Sequence, residues 1–127
     1  MFLLPMAWCV GGLAGAALTV TTTLPLPAVS FFVLGGLVAA DLCLPTAAVV
    51  GVTITLGLVH GFLNGSVLKE GVGMLGLVGI ATILFILITV ASAGVVALER
   101  AWTRIAVRVV GSWIAAVGML MFGWSLR

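Results

Sequence analysis

The residues that could do chemistry in this chain are few, and they gather around one histidine. His60 is followed four residues later by Asn64, so the two side chains lie on the same side of a helix. Imidazole binds nickel, copper and zinc, and thioether sulfur suits Cu(I). Met74, Met119 and Met121 fall toward the same end of the predicted helices. We therefore predict a candidate transition-metal site, for nickel or copper, at His60, Asn64 and Met74. The alternative is that His60 hydrogen-bonds to a neighbouring helix.

The acidic residues do not form a catalytic group. Asp41, Glu70 and Glu99 are far apart in sequence, and with a single histidine they provide no hydrolytic triad, no zinc-binding spacing and no phosphate loop. Asp41 falls near the end of a predicted span, where an acid is either a proton or ion site or a residue in the headgroup zone. We expect that the protein is not an enzyme and that it has no cofactor beyond the candidate metal.

Composition assigns the chain to a membrane. Of 127 residues, 64% are hydrophobic and only 6% are charged, whereas soluble domains carry about 25% charged residues. The mean hydropathy is +1.47. The charges leave four long uncharged runs, at 1–40, 42–68, 71–98 and 109–126, and about 20 apolar residues suffice for a helix to cross the bilayer. The net charge of +2 is too small for a nucleic-acid partner.

These runs predict an all-α, polytopic transmembrane bundle that forms a single domain over residues 1–127. Only helices and closed barrels satisfy their backbone groups in lipid, and the alternation typical of a barrel strand is absent. Prolines, a threonine run and the charged residues mark the boundaries. The five predicted spans are approximately 2–20, 28–44, 46–63, 72–98 and 109–126, with a polar loop at 64–71 and a basic connection at 99–108.

Glycines at helical spacing predict where the spans pack. Gly57, Gly61 and Gly65 recur every four residues in the third span, so they form one face with almost no side chain. Helices in a bilayer associate through close van der Waals contact, which small residues permit. We therefore predict that this G-x-x-x-G face is a helix-packing surface. Similar small faces are predicted in the first, second and fifth spans, at Gly11, Gly12, Gly15, Gly35, Gly36, Gly111, Ala115 and Gly118.

The positions of the arginines predict how the chain is oriented in the membrane. Arg100, Arg104 and Arg108 recur at four-residue spacing before the last span, as in a helix that contacts anionic headgroups at the membrane interface. Trp102 and Trp124 are 22 positions apart, about 33 Å along a helix, which fits the two interfacial aromatic belts. The positive-inside rule favours a cytoplasmic N-terminus and an outside C-terminus. We expect the cell (inner) membrane of a bacterium or archaeon.

Several short stretches resemble the HupE/UreJ family of membrane proteins, which is associated with nickel supply to hydrogenase and urease. The similarity covers most of the chain and corresponds to the later two-thirds of a typical member, including an arginine-led last span. The matching stretches are Leu4-Pro5-Met6-Ala7-Trp8, Leu26-Pro27-Ala28-Val29, Leu44-Pro45-Thr46-Ala47, Val59-His60-Gly61 and Gly79-Ile80-Ala81-Thr82. The resemblance implies the same helical membrane fold.

Most metal ligands of that family are replaced in this chain. The family's third-span motif resembles H-G-H-A-H-G-x-E, but here Phe62 and Asn64 stand in place of histidines and Val67 in place of the acid. Ser30 stands where an earlier acid is expected. We therefore expect a non-catalytic accessory or structural subunit that docks on a larger membrane complex, such as a metalloenzyme. The alternative is a nickel, cobalt or copper permease with a minimal site at His60. The expected partners are membrane lipids and either other transmembrane subunits or further copies of the chain.

Overall fold

The protein is all-α in a computed structural model that describes residues 2–18, 25–68, 73–97 and 101–127. No strand occurs within those ranges. The helices are α1 (Leu3–Ala17), α2 (Leu26–Ala40), α3 (Thr46–Leu68), α4 (Gly73–Ala97) and α5 (Ala101–Ser125). The predicted class of fold, a helical membrane protein with five apolar helices, is confirmed.

Three of the helices are long and apolar enough to cross a membrane. The qualifying segments are Thr46–Leu68, Leu75–Ala97 and Trp102–Ser125. Helices α1 and α2 are shorter, at 15 residues each, which is about 22 Å of helix against the roughly 30 Å of a hydrocarbon core.

The ends of four helices differ from the predicted spans. Helix α1 ends at Ala17 rather than near residue 20, because Leu18 adopts an extended conformation. The predicted loop from Asn64 is helical as far as Leu68, because the Asn64 and Ser66 side chains hydrogen-bond to backbone carbonyls of their own helix rather than ending it. The basic connection is also helical from Ala101 onward. Helix α2 stops at Ala40 rather than near residue 44, because Asp41 adopts a left-handed conformation with φ of 54°.

Contacts divide the chain into two compact units, and each is described by itself. The first unit contains α1, α3 and most of α4. Within it, Gly11 lies against the backbone of Leu58, and Gly15 lies against that of Phe62. The residue numbers rise together along both helices, so α1 and α3 pack in parallel. We call this contact the α1–α3 pair.

Helix α4 runs in the opposite direction along α1. Leu77 lies beside Gly12, where a methyl group on the glycine would be 3.0 Å from Cδ2 of the leucine. At the other end, the rings of Phe2 and Phe85 stack with centroids 5.4 Å apart. Position 77 therefore pairs with position 12 and position 85 with position 2, which is an antiparallel arrangement.

The second unit contains α2 and α5, which pack antiparallel through small residues. Gly35 meets the backbone of Gly111 and Ala115, and Gly118 meets that of Ala28 and Phe32. As the chain advances along α2, its contacts therefore retreat along α5. We call this contact the α2–α5 pair. Within each unit, the helix directions are those expected if the five helices cross a membrane one after another in alternating directions.

Candidate metal residues and docking surfaces

His60 and Asn64 lie one turn apart on α3, but the amide of Asn64 is directed to the helix itself. The Asn64 Nδ2 donates a hydrogen bond of 2.9 Å to the backbone carbonyl of His60. The His60 side chain is half-buried, and Asn64 is exposed. This bond occupies the amide nitrogen and leaves the amide oxygen as the ligand atom that Asn64 could offer a metal.

Among the described residues of the first unit, none of the methionines predicted as soft ligands lies beside His60. The side chain of Met74 lies outside the described residues, while Met119 and Met121 belong to the other unit. Within the described part of the chain, no group of three or more His, Cys, Asp or Glu residues could hold a metal ion. Cys9 and Cys43 are both exposed thiols that are not joined in a disulfide.

Gly57, Gly61 and Gly65 of α3 are all buried against α1. A methyl group on Gly57 would lie 2.7 Å from Cβ of Ala7. One on Gly61 would collide with the backbone carbonyl of Trp8, and one on Gly65 with that of Gly12. Four-residue spacing keeps these positions on one face along two turns of helix, so the two backbones touch. At this distance Cα–H groups can reach carbonyl oxygens of the facing helix, which gives a weak but repeated attraction.

Asp41 and two of the arginines join the ends of α2 and α5. The Arg104 Nε donates to Oδ2 of Asp41 and forms an ion pair with it. One turn further along α5, the Arg108 Nε donates a hydrogen bond of 2.9 Å to the carbonyl of Ala39. The last carbonyls of a helix have no partner in that helix and carry the negative end of its dipole. Arg108 therefore satisfies and neutralises the C-terminal end of α2.

This use of the arginines was not predicted from sequence. The four-residue spacing of the arginines predicts contact with lipid headgroups, whereas Arg104 and Arg108 each bind α2. Arg100 lies outside the described residues. A signal was present, because Asp41 is the only charged residue among the first 68 and a carboxylate near a bilayer needs a cationic partner. Sequence spacing could not identify which cation that partner would be.

The two predicted interfacial tryptophans both lie on α5 and are exposed. Trp102 is in the first turn and Trp124 in the last. The guanidinium of Arg127 lies 5.6 Å from the centre of the Trp124 ring, within the range of a cation–π interaction. Trp113, near the middle of the same helix, is also exposed and was not singled out from sequence.

One side of α4 is an exposed apolar seam. The most apolar 18-residue window of the helix contains no buried residue. Gly79 and Gly94 have no atom of a neighbouring element within 4 Å of where a Cβ would be. The residues between them on the same face are all exposed. We call this face the α4 seam: Gly79, Ile83, Ile86, Val90 and Gly94.

Comparison with known proteins gives no relative for this chain: no protein-family model, no curated protein and no solved structure matches it.

Proposed function

We propose that the protein is a non-catalytic accessory subunit that docks on a larger membrane complex through the α4 seam. The observation that supports this most is the pair of glycines, Gly79 and Gly94, with open space over them. Glycine in a helix interior costs about 1 kcal/mol relative to alanine. That cost is offset where a second helix approaches closely. The α1–α3 pair is an example within this chain.

The seam has the spacing that a partner helix requires. Successive members are separated by four, three, four and four residues, close to the alternation of a left-handed helix pair. Branched aliphatic side chains separate the two glycines and would fill the space between partner side chains. The proposed occupant of the α4 seam is therefore a transmembrane helix of another subunit. In this role the protein adds buried surface to the complex and carries out no chemistry of its own.

The experiment is purification of the tagged protein in mild detergent, with Gly79→Ile compared against Gly51→Ile. Gly51 is also helical and also has open space over it, but it lies on α3. We expect the unaltered chain to co-purify with a different polypeptide in fixed ratio, and Gly79→Ile to lose that polypeptide. We expect Gly51→Ile to retain it. A protein that purifies alone or only with copies of itself would contradict the proposal.

The resemblance to nickel-associated proteins supports a second candidate, a transition-metal permease with a minimal site at His60. The half-buried position of His60 on a span-length helix favours it. If His60 is a ligand, His60→Ala should abolish bound nickel or copper measured by plasma mass spectrometry and stop uptake in reconstituted vesicles. Unchanged metal content would contradict this candidate.

We also propose a cytoplasmic N-terminus, an outside C-terminus and residence in a bacterial or archaeal cell membrane. Asp41 and Arg104 lie at the same end of the α2–α5 pair. This agrees with the prediction that the connection after α2 and the connection before α5 lie on the same side of the membrane. Cys43 is exposed in the connection after α2. In a Cys9→Ala background, a membrane-impermeant maleimide should label Cys43 in inverted vesicles and not in intact cells. The reverse labelling would overturn the orientation.

A further inference from the structure

An apolar groove of about 640 Å³ lies between α1 and α4, within the first unit. This volume falls within the approximately 300–1,000 Å³ of small-molecule sites. The α1 wall includes Met6 and Cys9, and the α4 wall includes Ala81 and Thr82. The groove is distinct from the α4 seam and from the glycine contact with α3.

Two contacts between the helices hold the groove open. At one end Leu77 packs beside Gly12 and Trp8, and at the other end Phe2 stacks on Phe85. Positions 77 and 85 are separated by about 12 Å along α4. These two contacts give the groove a defined length, and its long side is open to the surroundings of the protein.

The walls select against polar ligands. Among the described residues, no charged side chain lines the groove. The Thr82 hydroxyl donates a hydrogen bond of 2.8 Å to the carbonyl of Val78 in its own helix, so its proton is already used. A ligand that placed a carbonyl, hydroxyl or charge here would lose its hydrogen bonds to water without replacement. The occupant must therefore be hydrocarbon.

The size and the wall residues distinguish a lipid chain from another helix. A helix of about 10–12 Å diameter would fill 640 Å³ with roughly one and a half turns or less, too little for a stable contact. Helix contacts in membranes also need small residues, but Gly11 and Gly15 of α1 are already covered by α3. A flexible acyl chain can follow the groove between Met6 and Ala81.

We propose that this groove binds one acyl chain of a bilayer phospholipid. The acyl chain takes the place of loosely packed boundary lipid. It contacts both helices along the groove and so holds α4 on α1. This binding is independent of the docking role of the α4 seam, because it uses the opposite contacts of α4 with its own unit.

The first test is native mass spectrometry after delipidation in detergent, with Ala81→Phe compared against Ala93→Phe. Ala81 lines the groove, and Ala93 is exposed further along the same helix. We expect one retained phospholipid on the unaltered protein and on Ala93→Phe, and at least a tenfold lower occupancy on Ala81→Phe. No retained lipid on the unaltered protein would overturn the proposal. So would a retained second copy of the chain that Ala81→Phe releases.

The second test uses Trp8 as the reporter, and the groove lining stays intact in the protein that keeps Trp8. Trp8 lines the groove and is only 4% exposed, whereas Trp113 is 73% exposed on α5. Two proteins, each with one of these as its single tryptophan, are reconstituted with brominated-chain lipid and returned to detergent. We expect the Trp8 fluorescence to remain quenched and the Trp113 fluorescence to recover. Equal recovery of both would overturn the proposal.

Discussion

The α1–α3 and α2–α5 pairs both rely on glycine, but they differ in what else holds them. In the α1–α3 pair, glycines on both helices bring backbone against backbone over successive turns, at Gly11, Gly15, Gly57, Gly61 and Gly65. In the α2–α5 pair, glycine contacts are joined by an ion pair and by an arginine bonded to the end of α2. The first pair therefore depends on shape, and the second on shape and charge together.

This difference has an electrostatic basis. Lipid is as apolar as leucine, so burying leucine provides little attraction between helices in a bilayer. Close backbone contact can act at any depth, because it needs no water. An exposed ion pair is tolerated near a helix end, where arginine can reach the interface. The side chains of Arg104 and Asp41 both remain partly exposed.

The largest expected effect is that of Gly61→Leu. A Cβ on Gly61 would collide with backbone atoms of α1, which cannot rotate away as a side chain could. We expect a loss of about 3 kcal/mol or more in unfolding free energy, measured by denaturant titration in detergent. The matched control is Gly51→Leu on the same helix, where nothing lies within 4 Å; equal stability of the two variants would refute close packing at Gly61.

A smaller loss is expected for Gly35→Leu in the α2–α5 pair. Gly35 touches the backbone of α5, and its sequence neighbour Gly36 has open space over it. We expect Gly35→Leu to cost about 1–3 kcal/mol, because the ion pair still joins the helix ends. Gly36→Leu should be close to neutral in the same denaturant titration. A larger loss for Gly36→Leu would show that α2 packs on α5 through the face of Gly36 and not through that of Gly35.

The ion pair itself should contribute less than either glycine contact. Asp41→Asn removes the charge but keeps a residue that tolerates the left-handed backbone at this position. Since Arg104 is well exposed, we expect a loss of only about 0.2–1 kcal/mol. A double-mutant cycle with Arg104→Gln should give a coupling energy that decreases with added salt. If no coupling is measured at low salt, charge does not stabilise the α2–α5 pair.

The effect expected for Arg108 is of the same small size as that of the ion pair. Arg108→Gln removes both the positive charge and the planar donor group at the end of α2, with an expected loss of about 0.5 kcal/mol. Arg108→Lys keeps the charge. If the helix dipole dominates, the lysine variant should retain most of the stability in the same titration. If it is as unstable as the glutamine variant, the hydrogen bond to Ala39 dominates.

The class of fold and the packing faces could be predicted because they depend on local order in the sequence. Glycines four residues apart share a face in any helix, so Gly57, Gly61 and Gly65 were identifiable as one surface. Which helix covers that surface is a long-range property, and several spans carry similar faces. The pairing of α1 with α3 and of α2 with α5 therefore required the structure.

The polar residues were harder to assign. Asn64 and Ser66 predicted a loop, but both bond to their own helix, since side chains that satisfy local carbonyls let a helix continue. The arginine stripe predicted headgroup contact, and Asp41 gave no indication of its partner 63 residues away. The groove between α1 and α4 was not visible from the sequence, because both helices are apolar on nearly every side and nothing marks the lining residues.

The central claim is that the chain works by docking on other helices and not by handling a metal. The most direct measurement is one native mass spectrum each of the unaltered protein, Gly79→Ile and His60→Ala, with bound metal determined on the same samples. The account predicts a hetero-complex that Gly79→Ile loses and His60→Ala retains, with no metal that depends on His60. A homo-oligomer whose nickel or copper disappears in His60→Ala would contradict it.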